Sequence, residues 1–434
     1  MRMRRIRRAA ATGAVALVAT VSGALAGPGV AHAETIRGLQ WWLSSLGIAQ
    51  AQQTSQGDGV VVGLVDTGVY AQHADLTGQI LAGTGVAPDA AADGLADNDG
   101  HGTSMASVIV AKGGGADHML GIAPKAKVLS VSTGFTPQPA YVAKAIRWAA
   151  DHGARVINIS EGNVESPRPD VLDAVRYALG KDVVVVSSAG NSTQTGTTRV
   201  SEPANVPGVI AVSATTKSGG LWSGSARGPE IAIAAPGEGI VGAAPPDKST
   251  SGYSTGDGTS GSGAIVSGVA ALVRAKFPKL NAANVVNRLI RTAKDLGTPG
   301  RDDNFGYGLV DPVAALTASV PEVAQNPLLG PSGAAPGAAG ETTKAGNGPP
   351  IAISVTNKTG AIVQVAVCLA VVVGVVVLIV YFVRRSGRRA AAARTQQPPP
   401  PGWHPPGQPP PPYAGYPPPP PGQRPPSGPP NSYG

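Results

Sequence analysis

The sequence predicts an α/β fold in which a mostly parallel sheet is covered by helices on both faces, followed by one C-terminal transmembrane helix. Two observations carry this prediction. Short runs rich in valine and isoleucine alternate with stretches of helical periodicity between residues 59 and 317, as in sheets buried on both faces. Residues 361–383 form an uncharged apolar run of 23 residues. At about 1.5 Å per residue, such a run spans a bilayer core of about 30 Å.

The N-terminus has the features of a secretory signal peptide. Five arginines lie within the first eight residues, an apolar stretch follows, and Ala31-His32-Ala33 matches an A-x-A cleavage site. We therefore predict a signal peptide at 1–33, cut after Ala33, with an uncleaved anchor helix as the alternative. Residues 34–58 would then form an N-terminal extension.

The main domain is predicted over residues 59–317. Its strands are expected within 59–66, 126–132, 155–160, 182–190 and 208–214, and its helices at about 102–112, 139–152 and 169–180, with two more after 258 and 281. In parallel sheets of this kind the ligand crevice lies at the carboxyl ends of the strands. We therefore expect the chemistry at that edge.

Three segments follow the domain. Residues 318–360 are rich in Pro, Gly and Ala and are predicted to be a flexible stalk. Arginines directly after the predicted span at 361–383 place the tail, 384–434, in the cytoplasm and the domain outside the cell membrane. From residue 396 the tail holds 19 of the 41 prolines. It could dock as polyproline on a partner's aromatic groove, or be a solvated tail without a specific partner.

Charge and cysteine content exclude two classes of protein. The net charge of +8 comes from arginines in 1–33 and 384–434, which contain no acidic residue, so the body of the chain is close to neutral. A basic face for nucleic acid is therefore not expected. The single cysteine, Cys368, excludes an intramolecular disulfide, so the exported domain must rely on its core for stability.

Four polar side chains follow predicted strands or begin predicted helices. Asp66 ends the first strand, His101 lies between two glycines before a helix, Asn191 ends "VVVVSSAGN", and Ser260 begins the helix of "DGTSGSGAIVSGVAALV". Taken singly, Asp66 could be a turn residue, His101 a loop residue and Ser260 part of a Gly/Ser loop. Together they match a serine nucleophile, a histidine base, an orienting carboxylate and an amide for the oxyanion. A single "DTG" argues against an aspartic protease.

These motifs resemble the subtilisin-like serine proteases. The resemblance covers "VDTG", "DGHGTSMAS", "VINIS", "SSAGN" and "DGTSGSGAIVSGVAALV", with "GYGLVDPVAAL" at the end of the domain. It implies a subtilisin-like three-layer fold, with Asp66 orienting His101, His101 as general base and acid, Ser260 as nucleophile and Asn191 as oxyanion donor. "GTSMAS" at 102–107 also looks like a serine motif. Because it directly follows His101, where the family has a similar "HGT", Ser104 is not preferred.

The resemblance also implies a substrate-binding segment, Ser160-Glu161-Gly162, in which an apolar residue is commoner at the centre. We therefore advance the hypothesis that Glu161 favours basic substrate side chains. No cofactor is expected. The segment between His101 and "GIAPKAKV" is short for the family's usual calcium loop, so calcium is undecided.

The order of segments is similar to that of the mycosins, membrane-anchored proteases of type VII secretion in actinobacteria. The resemblance implies an extracytoplasmic serine endopeptidase that cleaves proteins or peptides through an acyl-enzyme, beside a type VII secretion membrane complex. Asp66 lies only 32 positions after Glu34, so a folded inhibitory propeptide is not expected. The alternatives are a scaffold of a secretion complex in which cleavage is secondary or absent, and an inert binding domain displayed on a stalk.

Overall fold

Seven parallel strands form the central sheet of the structure, a computed structural model that describes residues 34–136, 138–161 and 168–330. Their spatial order is β2-β3-β1-β4-β5-β6-β7, and β8 and β9 form a separate antiparallel hairpin. The strands are β1 Val61–Asp66, β2 Ile80–Gly85, β3 Lys127–Ser132, β4 Val156–Ile159, β5 Val184–Ser188, β6 Ile210–Thr215, β7 Ile231–Pro236, β8 Ile240–Ala243 and β9 Tyr253–Gly256. The five predicted strands are the five central ones, and the predicted parallel sheet is confirmed.

The helices lie between and after these strands. They are α1 Ile36–Leu39, α2 Trp41–Ser45, α3 Ile48–Thr54, α4 His101–Val110, α5 Pro139–Asp151, α6 Pro169–Gly180, α7 Ser192–Thr195, α8 Thr259–Lys276, α9 Ala282–Arg291 and α10 Pro312–Thr317, with a 3-10 turn at Pro327–Leu329. All five predicted helices are present: three lie within two residues of both expected limits, and the two expected after 258 and 281 begin at Thr259 and Ala282.

Alternate residues of the strands face two different helical layers. In β5, Val184 and Val186 contribute to the core beneath α4 and α8, whereas Val185 contributes to the core beneath α5 and α6. Both faces of the strand are therefore buried, which explains why its sequence is continuously apolar rather than alternating. The result is a three-layer arrangement in which α4 and α8 lie on the same side of the sheet.

The segment 34–58, expected to be an extension, is built into the domain. Trp42, Ile48 and Ala51 are buried in the same core as α4 and α8. Gln40 exchanges two hydrogen bonds with the backbone of Leu120, at 2.8 and 2.9 Å. The apolar side chains of α2 and α3 supply part of the core, so the folded unit begins before residue 59.

The folded unit also continues past residue 317, where the stalk was predicted to begin. Asn284 on α9 donates to the carbonyl of Val323 and accepts from its amide, and Asn326 donates to the carbonyl of Gly208. These side-chain amides satisfy the backbone of 318–330 and hold it against the domain.

Several predicted segments lie outside the described residues. They are the signal peptide 1–33, residues 331–360 of the stalk, the transmembrane helix 361–383 and the tail 384–434. Within 34–136, 138–161 and 168–330, no helix combines the length and apolar character needed to cross a membrane.

Candidate active site

The predicted site residues converge at the carboxyl edge of the sheet. Asp66 ends β1, His101 begins α4, Asn191 follows β5, and Ser260 lies in the first turn of α8. His101, Asn191 and Ser260 line one cleft of about 290 Å³, whose opposite wall is the β8–β9 hairpin. Residues from distant parts of the chain therefore meet where parallel strands end, as the sequence predicted.

Asp66 and His101 form a close hydrogen-bonded pair. His101 Nδ1 lies 2.7 Å from Asp66 Oδ1; Asp66 is 1% exposed and the imidazole 32% exposed. A carboxylate accepts, so Nδ1 carries a proton in either charge state of the ring, and Nε2 is an acceptor once the imidazole is neutral. Burial lowers the pKa of His101, but the charge and hydrogen bond of Asp66 outweigh it and, with smaller contributions from Glu161 and Asp99, raise the pKa to about 9. The imidazolium is thus stabilised by the carboxylate beneath it.

Asp97 fixes the turn that presents His101. Its Oδ1 accepts from the Thr67 hydroxyl and the amides of Asp99 and Gly100, and its Oδ2 accepts from the amide and hydroxyl of Thr103, all between 2.6 and 3.1 Å. Asp97 thereby satisfies amides at the start of α4 that have no partner within the helix.

Two glycines allow α4 to approach the end of β1. A Cβ on Gly102 would lie 2.0 Å from the carbonyl oxygen of Gly68 and 3.1 Å from Asp66 Oδ1. Gly68 itself has φ of +119° and would meet the carbonyl of Ala96 at 2.1 Å. The short His101–Asp66 distance therefore depends on the missing side chains at both positions.

Ser260 is half-buried at the cleft, and its hydroxyl donates to the carbonyl of Ser160 at 3.2 Å. Within the described residues no hydrogen bond joins this hydroxyl to His101, so the hydroxyl hydrogen must turn away from Ser160 before the base can take it. The two other serines of the motif are bound elsewhere. Ser262 donates to the backbone carbonyls of the last two residues of β7, and Ser267 donates to Asn158 Oδ1 at 2.8 Å.

Ser104, the other serine considered, also borders the cleft, one turn into α4. It follows His101 on the same helix and lies on the wall that faces β8, where a Cβ on Gly242 would meet its hydroxyl oxygen at 1.8 Å. The first turn of α8, by contrast, places Ser260 next to Asn191 through Thr259.

Asn191 is held by the residue before Ser260. Its Oδ1 accepts from the amide and the hydroxyl of Thr259 at 3.0 and 2.9 Å, and its Nδ2 donates to Gln194 Oε1 at 3.2 Å. The two donors fix which end of the amide is nitrogen. An NH₂ group has two hydrogens, so one remains for a developing oxyanion beside Ser260.

Glu161 is buried rather than displayed in the cleft. It is 7% exposed, and its Oε2 accepts from the Thr133 hydroxyl at 2.5 Å. Burial, and next the charge of Asp66, raise its pKa to about 8. Selection of basic substrate side chains needs an accessible carboxylate, so this geometry does not favour that hypothesis. Ser160 borders Ser260 through its carbonyl, and Gly162 lies outside the described residues.

The described part of the chain contains no cluster of three or more His, Cys, Asp or Glu side chains placed to hold a metal ion. Calcium therefore stays an open expectation.

Sequence reasoning missed the residues that support the site. Thr133 and Thr259 act by hydrogen bonds to its members, and Asp97 acts by hydrogen bonds to the backbone and side chains around His101. A signal existed for Asp97: an aspartate followed closely by glycine and a helix is typical of N-terminal capping.

Known proteins share this architecture. The model of the subtilase family of peptidases, S8, matches residues 57–308. Mycosin-3 of Mycobacterium tuberculosis is 34% identical over 339 residues, covering 64% of this chain and 71% of that protein. Fervidolysin of Fervidobacterium pennivorans is 33% identical over 321 residues, covering 67% of this chain but only 45% of fervidolysin.

Solved structures give the same result. The crystal structure of MycP1 from the ESX-1 type VII secretion system superposes with a TM-score of 0.60 at 29% identity, covering 68% of this chain and 89% of that one. The MycP3 protease from the type VII (ESX-3) secretion system gives a TM-score of 0.57 at 34% identity, covering 67% and 90%.

Proposed function

This chain belongs to the subtilase family of serine proteases and is related to the mycosins, and from that membership we propose that it cleaves peptide bonds through Asp66, His101 and Ser260. It would act as an endopeptidase on protein or peptide substrates. The observation that carries the proposal is the 2.7 Å contact between His101 and Asp66 at a cleft that Ser260 also lines.

The proposed chemistry uses protein groups alone and no cofactor. His101 Nε2 takes the proton of the Ser260 hydroxyl while Ser260 Oγ attacks the carbonyl carbon, and Asp66 stabilises the imidazolium that results. Asn191 and the Ser260 amide, at the N-terminus of α8, would donate to the oxyanion. His101 then returns the proton to the leaving amine, and a water molecule releases the acyl group from Ser260 by the same steps.

A fluorophosphonate probe tests the proposal directly, because it reacts only with a serine activated by a base. We expect the full-length protein to be labelled and the Ser260→Ala variant not to be. Ser262→Ala is the matched control, since Ser262 lies two residues on and is bound to backbone carbonyls; its labelling should equal that of the wild type. Labelling that persists in Ser260→Ala would overturn the assignment.

We further propose that the protease is exported, anchored by residues 361–383 with its tail in the cytoplasm, and works beside a type VII secretion membrane complex. The support is the signal and span in the sequence, together with the relation to mycosins. Among the related structures, one MycP1 is described as an essential component of the type VII (ESX-1) secretion system.

A scaffold with secondary or absent cleavage is the second candidate. It is favoured by one observation, the Ser260 hydroxyl that donates to Ser160 rather than to His101. A strain carrying Ser260→Ala separates the two functions: normal secretion in that strain supports the scaffold, and lost secretion with a stable variant protein supports cleavage.

A further inference from the structure

We propose that Glu161 is a positioning residue of this site: its buried carboxyl group keeps a proton beside the Asp66–His101 pair at neutral pH and, once it loses that proton, holds the imidazole in its charged form. The base would then become available only under alkaline conditions. The inference rests on the proposed role of His101 as the base and identifies what sets the pH at which that base acts.

Strand order places Glu161 next to the pair. Asp66 is paired with Ser132 of β3 on one side, and β4, which ends at Ile159, runs along the other side of β1. Thr133, just after β3, joins the two carboxyl-bearing residues. Its amide donates to the Asp66 carbonyl at 2.8 Å, and its hydroxyl donates to Glu161 Oε2 at 2.5 Å. The two hydrogen bonds of Thr133 therefore hold the Glu161 carboxyl group beside the end of β1, where Asp66 lies.

Two buried oxygens in this cluster have no hydrogen-bond donor among the described residues: Glu161 Oε1 and Asp66 Oδ2. An ionised carboxylate that is buried with an unsatisfied oxygen is costly, and it lowers this cost by taking up a proton. Asp66 Oδ1 accepts from His101 and from the Thr67 amide, whereas within the described residues the Glu161 carboxyl accepts only from the neutral Thr133 hydroxyl, so the proton is expected on Glu161.

The charged groups that face Glu161 act in opposite directions. Asp66 from β1 and Asp99 from the loop before α4 disfavour its ionised form, whereas His101 at the start of α4 favours it; β3 contributes only Thr133, which does not titrate. The influence is reciprocal, because the Glu161 charge also raises the pKa of His101. The two groups therefore titrate as a coupled pair.

The order of proton loss follows from these effects. Glu161 ionises at about pH 8, and its new negative charge stabilises the imidazolium, so His101 becomes neutral only at about pH 9. Replacing Glu161 by glutamine removes that charge but keeps the size of the side chain and an oxygen for Thr133. His101 should then lose its proton at a lower pH, and the variant should be more active than the wild type above about pH 8, where the wild-type Glu161 carries its charge. At neutral pH, where Glu161 is uncharged in the wild type, the two proteins should react alike.

The test is the pH dependence of the rate at which the fluorophosphonate probe labels Ser260 in the full-length protein. We expect the midpoint of the acid limb of the Glu161→Gln profile to lie up to about one pH unit below that of the wild type. Labelling should be faster in the variant above about pH 8, where the wild-type Glu161 is ionised, and equal at pH 7. Glu322→Gln, an exposed glutamate away from the cleft, is the matched control and should leave the profile unchanged. Superimposed wild-type and Glu161→Gln profiles, or a uniform loss of rate at every pH, would refute the inference.

A second measurement keeps this failure separate from failure of the proposed function. Carbon-13 labelling of the histidine rings reports the protonation of His101 whether or not the enzyme turns over. In the wild type we expect the titration curve of the His101 ring to contain a second step besides its own. That step should coincide with the titration of one glutamate carboxyl group, observed in protein that also carries labelled glutamate. A single-step His101 curve would refute the role of Glu161 even if Glu161→Gln does not fold. Absence of labelling at all pH values would refute the proposed function instead.

Discussion

Asp97 shows how much of the site depends on a single buried carboxylate without a role in the chemistry. Its five hydrogen bonds hold Thr67, the turn at 99–100 and Thr103 around the start of α4. In Asp97→Asn an NH₂ group replaces one carboxylate oxygen and faces the donors that this oxygen had bound. Those donors lose their hydrogen-bond acceptor, which costs about 1–3 kcal/mol of stability. A displacement of His101 by about 1 Å can cost about 100-fold in rate.

We therefore expect Asp97→Asn to fold but to be labelled by the fluorophosphonate about 100-fold more slowly. The control is Asp93→Asn, an exposed aspartate of the same loop that accepts one backbone hydrogen bond, from Leu95; it should react like the wild type. Equal rates for both variants would mean that Asp97 does not position His101.

At the scale of single residues, the sequence identifies the reacting side chains better than the residues that hold them in place by hydrogen bonds. Asp66, His101, Asn191 and Ser260 are recognisable because each follows a strand or begins a helix, and the strand ends must meet at one edge. Thr133 and Thr259 are not recognisable, because their roles arise from hydrogen bonds to residues distant in the chain. The direction of the Glu161 side chain was likewise not predictable, since it is set by Thr133 and by burial beside Asp66.

Among the elements, the helices before β1 differ most from their expected role. Trp42 on α2 is fully buried in the main core, and Trp41 donates its indole N–H to the carbonyl of Glu238. A segment of only 25 residues, interrupted by glycines at 38, 47 and 57, offers little periodicity, so the sequence suggested an extension. Its large apolar side chains nevertheless complete the core under α4 and α8.

Trp42→Ala should therefore destabilise the whole domain. Truncating a buried tryptophan costs about 3–5 kcal/mol. The lower end is expected here, because the buried indole N–H of Trp42 has no partner among the described residues and its removal relieves that cost. Urea unfolding followed by far-ultraviolet circular dichroism measures the change. Trp41→Ala, at a half-buried neighbouring residue, is the control and should lose less free energy of unfolding. An unchanged urea midpoint for Trp42→Ala would show that 34–58 does not unfold together with the domain.

The remaining differences among the elements have physical reasons. The central strands β1, β3, β4, β5 and β6 were predicted because burial on both faces makes them continuously apolar. The edge strand β2 was not, because its residues are mostly half-buried or exposed. The other edge strand, β7, is rich in alanine, and the β8–β9 hairpin is short and carries exposed residues in β9, so neither offers the Val/Ile signal that marks a strand.

On the scale of the whole molecule, the protease domain is preceded in the sequence by the basic segment 1–33 and followed by the apolar run 361–383 and the basic tail 384–434. The body of the chain is nearly neutral, whereas the arginines are concentrated in 1–33 and 384–434. Arginines beside an apolar run favour the cytoplasmic side.

Removing the proposed anchor tests this arrangement. We expect the full-length protein to stay with the membrane pellet after alkaline carbonate extraction, which strips proteins held only by surface contacts. Deletion of 361–383 should release it into the supernatant, because no helix within 34–136, 138–161 and 168–330 could replace the lost span. The matched control removes the same number of residues, 398–420, from the proline-rich tail and should leave the protein in the pellet. If the 361–383 deletion also remains in the pellet while its domain is still labelled at Ser260, the anchor lies elsewhere, and the uncleaved 1–33 segment becomes the candidate for the next deletion.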